Sequence, residues 1–150
     1  MQEYLITKGT INDLPQTLEL IKELAIYEKA LHEVSNTVEM MAKDGFGENP
    51  IFEFFVAKEQ ENIIGIAVFY YRYSTWKGKR IYLEDIIVTE TCRGKGVGSL
   101  LFEAIIEEGK RSKSTGMMFQ VLEWNKPSIE FYKKYGTRFD PEWLNAHLDF

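Results

Sequence analysis

Apolar and polar positions follow a spacing that changes along the chain, and each change marks a predicted element. A short strand is expected over Glu3–Lys8. Apolar residues then recur every three or four positions, which predicts a helix from about residue 12 to about residue 30. A second, shorter helix is expected over Thr37–Lys43, capped by Asn36 or Thr37, and the turn-rich residues after it end this helical part of the chain.

The middle of the chain has the pattern of strands. Aromatic and β-branched residues fill Phe52–Glu59 and Ile63–Tyr73, and the polar Gln60–Asn62 between them predicts a hairpin. Gly65 marks a weak point or a bulge in the second of these strands. Ile81–Val88 is nearly all apolar, as expected of a central strand that is covered on both faces.

The last third of the chain predicts two further helices. An amphipathic helix extends to about Lys113, and a strand over Met117–Leu122 follows it. A last helix is expected over Lys126–Tyr135, and a final strand around Leu144–Leu148. Helices and strands therefore alternate, and with 150 residues, 45% of them hydrophobic, the chain is expected to form one α/β domain over residues 1–150.

Composition excludes several classes of function. The formal net charge of −5 argues against a nucleic-acid surface and favours a cationic partner or simple solubility. Met1–Lys8 lacks the basic and apolar parts of a signal peptide, and no apolar run is long enough for a membrane, so a cytoplasmic protein is expected. Cys92 is the single cysteine, and the chain has only two histidines, so neither a disulfide nor a metal site is expected.

A glycine-rich loop, Arg93–Ser99, lies between the apolar strand and the amphipathic helix. Gly94, Gly96 and Gly98 let the backbone enter left-handed conformations and come close to a ligand. The N–H groups at the start of the following helix favour a phosphate or pyrophosphate. The spacing is neither the dinucleotide fingerprint nor a Walker loop, so a glycine-rich turn without a ligand remains the alternative.

Two adjacent carboxylates interrupt the apolar strand. Regular alternation would place Glu84 on the face of Tyr82 and Ile86, and Asp85 on the opposite face with Leu83 and Ile87. At least one carboxylate is then expected in an apolar environment, where an ionised group is costly to keep. Such a group has either a hydrogen-bond network or a part in proton transfer.

The last predicted helix carries a polar stripe. Asn125, Ser128 and Tyr132 are spaced i, i+3 and i+7, beside an apolar stripe of Phe131 and Tyr135. The polar stripe could face a ligand. A single tyrosine in such a position is otherwise a packing residue whose hydroxyl reaches solvent.

These motifs resemble those of a known family. The form Arg-x-x-Gly-x-Gly at Arg93, after a strand and before a helix, resembles the acetyl-CoA pyrophosphate loop of the GNAT N-acetyltransferase superfamily. The segment Glu123–Gly136 resembles the W-N-x-P-S-x-x-F-Y-x-x-x-G segment of diamine (spermidine/spermine) N-acetyltransferases. The resemblance covers nearly the whole chain except its tail and includes Leu20–Ala25, Tyr27–Glu28, Asp44–Glu48 and Tyr82–Asp85.

The resemblance implies a fold and an activity. The fold would be the GNAT acyl-CoA N-acyltransferase fold, of the α/β (α+β) class, with a mixed, mostly antiparallel central sheet flanked by helices. The activity would be transfer of an acetyl group from acetyl-CoA to a primary amine of a small cationic substrate by direct attack. Polyamines, diamines and thialysine- or lysine-like amines are the candidate substrates, and a homodimer is implied.

The resemblance also assigns roles to residues. Tyr132 would be the general acid for the departing thiolate, and Glu84 would receive the amine proton through water. Tyr27, Glu28 and Glu84 would line the amine pocket. The residues at acetyl-CoA would be Ile86, Ile87, Val88, Arg93, Gly94, Lys95, Gly96, Val97, Gly98, Ser99, Asn125, Lys126, Pro127 and Ser128.

Two departures from the family and two rival functions bear on this hypothesis. Ser74 stands where the family's Y-D-P-W loop has an aspartate, and the tail is shorter than in the polyamine enzymes, so the substrate amine stays open. A catalytically silent acyl-CoA-binding module would keep the glycine loop without needing Glu84 and Tyr132. A nucleotide-binding domain would need a parallel βαβ series and an acidic ribose contact.

Overall fold

The computed structural model describes residues 4–150, so Glu3 of the first predicted strand lies outside the described residues. The chain divides into two compact units, one ending at Gln120 and the other formed by Val121–Phe150, and each is described by itself. The elements of the first unit are β1 (Leu5–Lys8), α1 (Leu14–Tyr27), α2 (Val38–Phe46), β2 (Glu53–Glu59), β3 (Asn62–Ser74), β4 (Gly78–Val88), α3 (Val97–Arg111) and β5 (Met117–Phe119). The second unit contains α4 (Lys126–Lys133).

The five strands form one sheet in the order β1-β2-β3-β4-β5. The first four pair antiparallel, and β5 pairs parallel with β4. The predicted mixed, mostly antiparallel sheet with flanking helices is therefore confirmed. Gly65 lies beside a register shift between β2 and β3, where Ala57 pairs with Gly65 and Lys58 with Ile63, which confirms the predicted irregularity.

Helix α2 begins where its capping residue predicts. The Thr37 hydroxyl oxygen accepts a hydrogen bond from the Met40 amide at 3.1 Å, which satisfies one of the free N–H groups of the first turn. The helix ends at Phe46, three residues later than expected. Helix α1 ends at Tyr27, earlier than expected. At its start, the Asp13 carboxylate does not cap the helix, because it accepts hydrogen bonds from the amide and the hydroxyl of Thr10.

The sheet is covered on both faces. Residues of α1 and α2 form one buried core with the side of the sheet that carries Ile66 and Val68. Alternation turns Gly65 and Tyr71 to the other side, where a Cβ built at Gly65 would lie 2.9 Å from Leu101 of α3. Strands β3 and β4 are therefore buried between two helical layers, as their apolar pattern predicts.

The C-terminal prediction was wrong. Residues 137–150, all of which are described, form neither helix nor strand, although a strand was expected over Leu144–Leu148. Leu144 is 92% exposed and Leu148 is 84% exposed. A strand needs a neighbour for its ladder of hydrogen bonds, and these residues have no register partner in the described chain. Among residues 4–150, no helix has the length and apolar character needed to cross a membrane.

Candidate active site

The glycine loop has the backbone conformation that its glycines allow. Gly94 and Gly96 have φ angles of 79° and 84°, in the left-handed region. Gly96 occupies the cap position of α3, and apart from the flanking residues no atom of the described chain lies within 4 Å of a Cβ built at either glycine. Gly98 was expected to share this conformation but lies in the first turn of α3 instead. The backbone amides at the N-terminus of α3 therefore lie at an open surface, where they can bind an anion.

Arg93 holds this loop against its surroundings. Its Nε donates a hydrogen bond to the Val88 carbonyl oxygen at 2.9 Å, and its guanidinium lies 5.7 Å from the centre of the Tyr27 ring. The structure thus brings together Tyr27, predicted for the amine pocket, and Arg93, predicted for acetyl-CoA. Tyr27 is 38% exposed, so part of its ring remains accessible.

Three further residues predicted for acetyl-CoA lie at the end of β4, the strand that leads to the loop: Ile86, Ile87 and Val88. Ile86 pairs with Ala67, and Ile87 pairs with Ile66. The Ile87 side chain belongs to the buried core, so only its backbone groups are available to a ligand. Val88 pairs with Gly65 and is half-buried, at the point where the strand ends.

A bulge lies at the two carboxylates of β4. Leu83 pairs with Phe69 and Asp85 pairs with Val68, which leaves Glu84 without a Cα partner in β3. The extra residue breaks the regular alternation on which the predicted faces depended. Asp85 therefore does not share the face of Leu83, and that part of the prediction was wrong. The bulge brings Asp85 to the side of the sheet that faces α1.

Glu84 is exposed and accepts a hydrogen bond from an aromatic side chain. The Tyr70 hydroxyl donates a hydrogen bond to Glu84 Oε2 at 3.4 Å, and the Tyr70 ring stacks on the Tyr82 ring with 5.1 Å between centroids. Burial and the neighbouring Glu84 charge raise the pKa of Tyr70 to about 12. Tyr70 therefore keeps its proton at neutral pH and remains a hydrogen-bond donor to the carboxylate.

Asp85 was not predicted as a site residue, but its carboxyl group has a strongly raised pKa. Burial, followed by the negative charges of Glu84 and Glu28, raises the pKa of Asp85 to about 7. Burial also raises the pKa of Glu28. The charges of Glu84 and Glu28 both act on Asp85, and these three carboxylates are together called the acidic cluster here. Two adjacent acids in an apolar strand were the only signal in the sequence, because the bulge that groups them depends on pairing with β3.

The second unit carries the other predicted residues. Asn125 caps α4, since its side-chain oxygen accepts a hydrogen bond from the Ser128 amide at 3.4 Å, and Lys126 and Pro127 follow in the first turn. Tyr132 is only 6% exposed, and its ring meets the Phe131 ring edge-on at 5.4 Å. Within this unit, the predicted polar stripe of Asn125, Ser128 and Tyr132 therefore has structural contacts: Asn125 caps the helix and Tyr132 is buried.

Comparison with known proteins identifies the family. Residues 18–137 match the model of the acetyltransferase (GNAT) family. The chain belongs to this family. It is 36% identical to the thialysine N-epsilon-acetyltransferase of Sus scrofa over 146 residues, which cover 92% of this chain and 86% of that protein. It is 33% identical to the spermidine/spermine N(1)-acetyltransferase-like protein 1 of Homo sapiens over 144 residues, which cover 91% of this chain and 21% of that longer protein.

Solved structures agree on the fold of this acetyltransferase. A tetramutant of the BH1408 protein from Bacillus halodurans superposes with a TM-score of 0.77 and 25% identity, covering 96% of this chain and 99% of that one. An aminoglycoside acetyltransferase from an uncultured soil metagenomic sample gives a TM-score of 0.79 at 18% identity, covering 98% and 96%. The nucleotide-binding alternative required a parallel βαβ series, which the antiparallel strands β1–β4 contradict.

GNAT acetyltransferases take their acyl group from acetyl-CoA, which is a co-substrate. In the part of the chain that the structure describes, no group of three or more His, Cys, Asp or Glu side chains is arranged to hold a metal ion.

Proposed function

We propose that the chain transfers an acetyl group from acetyl-CoA to a primary amine of a small cationic substrate. The observation that carries the proposal is the acidic cluster of Glu28, Glu84 and Asp85 on and beside the strand that leads into the glycine loop. An ammonium that leaves water needs nearby negative charge, and it must then lose a proton before its nitrogen can attack. The cluster offers both the charge and the proton acceptors.

The loop fits the pyrophosphate of acetyl-CoA. Gly94 and Gly96 are exposed, and the amides of the first turn of α3 lie next to them. Acetyl-CoA, when bound, supplies the thioester carbonyl that the amine attacks. Arg93 is held by Val88 and Tyr27, so its charge lies near the loop without having to move.

Two protons must move in this reaction. The exposed Glu84 would receive the amine proton through water, as the resemblance implies. Asp85 suits the same task because a base with a pKa near the working pH is both ionised and basic enough to accept a proton. The Tyr132 hydroxyl would donate a proton to the sulfur of the leaving thiolate.

The pKa of Asp85 predicts how activity depends on pH. The kcat/KM for the amine should rise as pH increases through about 7, because the carboxylate is the form that attracts the ammonium and accepts its proton. Asp85→Asn should lose this limb. In Glu84→Gln the limb should move to lower pH, because one charge that raises the Asp85 pKa is gone. A limb that persists unchanged in Asp85→Asn would show that another group titrates.

The same pKa predicts an effect on stability. The folded-state pKa lies above the ordinary 3.8, so ionised Asp85 weakens the fold. The fold does not bear this cost while Asp85 is protonated in both the folded and the unfolded state, below about pH 4. The free energy of unfolding then falls as pH rises toward about 7, because Asp85 must ionise inside the folded protein. Asp85→Asn should therefore raise the unfolding midpoint at pH 8 and have little effect at pH 4. Thermal unfolding at both values measures the difference, and an equal shift at both would contradict it.

A cavity that is linked to Glu84 through Tyr70 supports the proposal that the body of the amine binds there. A cavity of about 600 Å³ is lined in part by Tyr70, the hydrogen-bond partner of Glu84. Its other walls include the rings of Phe46, Phe52 and Phe54. Aromatic walls favour the methylene groups of an alkyl amine and can attract a cation. This supports an amine with a short apolar chain as the acceptor.

Ser74 tests how far the substrate extends. Its hydroxyl oxygen accepts hydrogen bonds from the Trp76 amide at 3.3 Å and the Lys77 amide at 3.1 Å, and an aspartate can make the same turn bonds. Ser74→Asp should therefore preserve the turn and add a charge for a distant ammonium, a contact worth about 1 kcal/mol. We expect kcat/KM for spermidine to rise roughly fivefold, with little change for thialysine.

Ser74→Asn is the matched control, since it has the shape of aspartate without its charge. It should leave the preference between spermidine, a short diamine and thialysine unchanged. If the wild-type protein already prefers spermidine strongly, and Ser74→Asp does not improve it, the argument about the missing charge fails while acetyl transfer still stands.

The homodimer, the single domain and the cytoplasmic location remain predictions. The apolar residues Trp143, Leu144 and Leu148, all more than 70% exposed, support a contact with a second copy. Sedimentation equilibrium measures the mass in solution, and a monomer at all concentrations would contradict the dimer.

A further inference from the structure

The short segment that joins β4 to the glycine loop is held by a side chain from α1. Glu23 Oε1 accepts a hydrogen bond from the Thr89 hydroxyl at 3.1 Å and another from the Glu90 amide at 3.1 Å. Glu90 begins a single 3₁₀ turn, Glu90–Cys92, which leads directly to Arg93 and the loop. A single carboxylate oxygen on α1 therefore binds the backbone at Glu90, four residues before Gly94 of the glycine loop.

This contact satisfies a group that the turn cannot satisfy by itself. The first N–H groups of a helical turn have no partner within it, and an oxygen acceptor at that end fixes where the turn begins. A carboxylate is a strong acceptor and also favours the positive end of the turn. The Thr89 amide is held separately by the Ile64 carbonyl at 2.8 Å, so the strand side of this junction is already fixed.

A second contact on the same face of α1 lies one turn later. Tyr27 is four residues after Glu23, and its ring lies under the Arg93 guanidinium at 5.7 Å. Arg93 in turn donates to the Val88 carbonyl oxygen. Both ends of the segment Thr89–Arg93 thus contact α1, one through Glu23 and the other through Tyr27.

We propose that Glu23 is a positioning residue for acetyl-CoA, acting through the turn that it caps. The proposal rests on the proposed function, in which the loop amides bind the pyrophosphate. A site whose donors are held in place before binding loses less free energy in ordering them when the ligand arrives. Glu23 does not touch the loop glycines, so its effect falls on the orientation of the loop and not on the chemical step.

The test is the dissociation constant of CoA, measured by isothermal titration calorimetry on the full chain. Glu23→Ala should weaken CoA binding roughly tenfold, since two hydrogen bonds to a charged acceptor are lost. Glu23→Gln keeps an oxygen that can accept both bonds and should stay within about threefold of wild type. At saturating acetyl-CoA and amine, kcat of both variants should also stay within about threefold, which separates positioning from catalysis.

Glu19→Ala is the matched control. It removes the same charge from the same helix, where Glu19 is exposed and only approaches Lys22 at 3.9 Å. It should leave CoA binding unchanged. If Glu23→Ala does not fold, Thr89→Val removes one of the two hydrogen bonds from the other side and should weaken CoA binding roughly threefold.

Three outcomes would overturn the proposal. One is a Glu23→Ala protein that binds CoA as tightly as Glu19→Ala. Another is a Glu23→Gln protein as weak as Glu23→Ala, because charge and not hydrogen bonding would then matter. The third is a loss of kcat with unchanged CoA affinity. Failure of the wild-type chain to bind CoA would be a different result, since it would refute the proposed function of the loop.

Discussion

Replacing Tyr132 with phenylalanine is expected to lower kcat by about 100-fold, because a positioned general acid contributes that much to a step in which a thiolate leaves. The change removes one hydroxyl and keeps the ring. Tyr132 is 6% exposed and packs edge-on against Phe131, and both features are compatible with phenylalanine. The fold should therefore survive, and CoA affinity should be nearly unchanged. Turnover on the best amine, under conditions where chemistry limits the rate, gives the measurement.

Tyr135→Phe is the matched control for this variant. It removes the same hydroxyl from the end of the same helix region, at a half-buried position that has no assigned role in the reaction. It should retain turnover close to that of wild type. Wild-type turnover in Tyr132→Phe, with the chemical step shown to be rate-limiting, would exclude Tyr132 as the acid.

The second large effect is expected at Gly96. Its φ of 84° is strongly disfavoured for a β-branched residue, so Gly96→Val must change the backbone where the loop enters α3. The amides that we propose bind the pyrophosphate would then turn away, and the loss of two charge-assisted hydrogen bonds should weaken CoA binding by about 100-fold. Calorimetric titration with CoA measures this effect without requiring an amine substrate.

Gly78→Val separates strain from binding. Gly78 has a similar φ of 88° at the first residue of β4, and the nearest atom to a Cβ built there, the flanking residues aside, is 4.0 Å away. This variant should suffer a comparable loss of stability while its CoA affinity stays close to that of wild type. If Gly96→Val folds and binds CoA as tightly as Gly78→Val, the loop does not hold the pyrophosphate.

Local patterns predicted most of the elements because each pattern depends on neighbouring residues alone. The hairpin of β2 and β3 follows from two β-rich runs with a polar turn between them, and the start of α2 follows from the capping residue Thr37. The burial of β4 follows from its nearly continuous apolar run. The left-handed conformations of Gly94 and Gly96 follow from the freedom that only glycine has.

The features that could not be predicted depend on residues far apart in the chain. The bulge at Glu84 arises from how β4 pairs with β3, so strict alternation wrongly put Asp85 on the face of Leu83, although its shared face with Ile87 is confirmed. The raised pKa of Asp85 comes first from burial in the fold and then from the charges of Glu84 and of Glu28, which directly follows α1. In the tail, apolar residues suggested a strand, but a strand forms only where a neighbour pairs with it.

Acetyl transfer itself is tested most directly by incubating the wild-type chain with acetyl-CoA and a panel of amines. The panel contains spermidine, a short diamine, thialysine and lysine, and two signals are followed together: release of free CoA thiol and the mass of the amine. We expect that at least one small primary amine gains one acetyl group for each CoA released, and that Tyr132→Phe slows both signals equally. Tight binding of CoA without acetylation of any amine on the panel would contradict it and would favour a catalytically silent acyl-CoA-binding module.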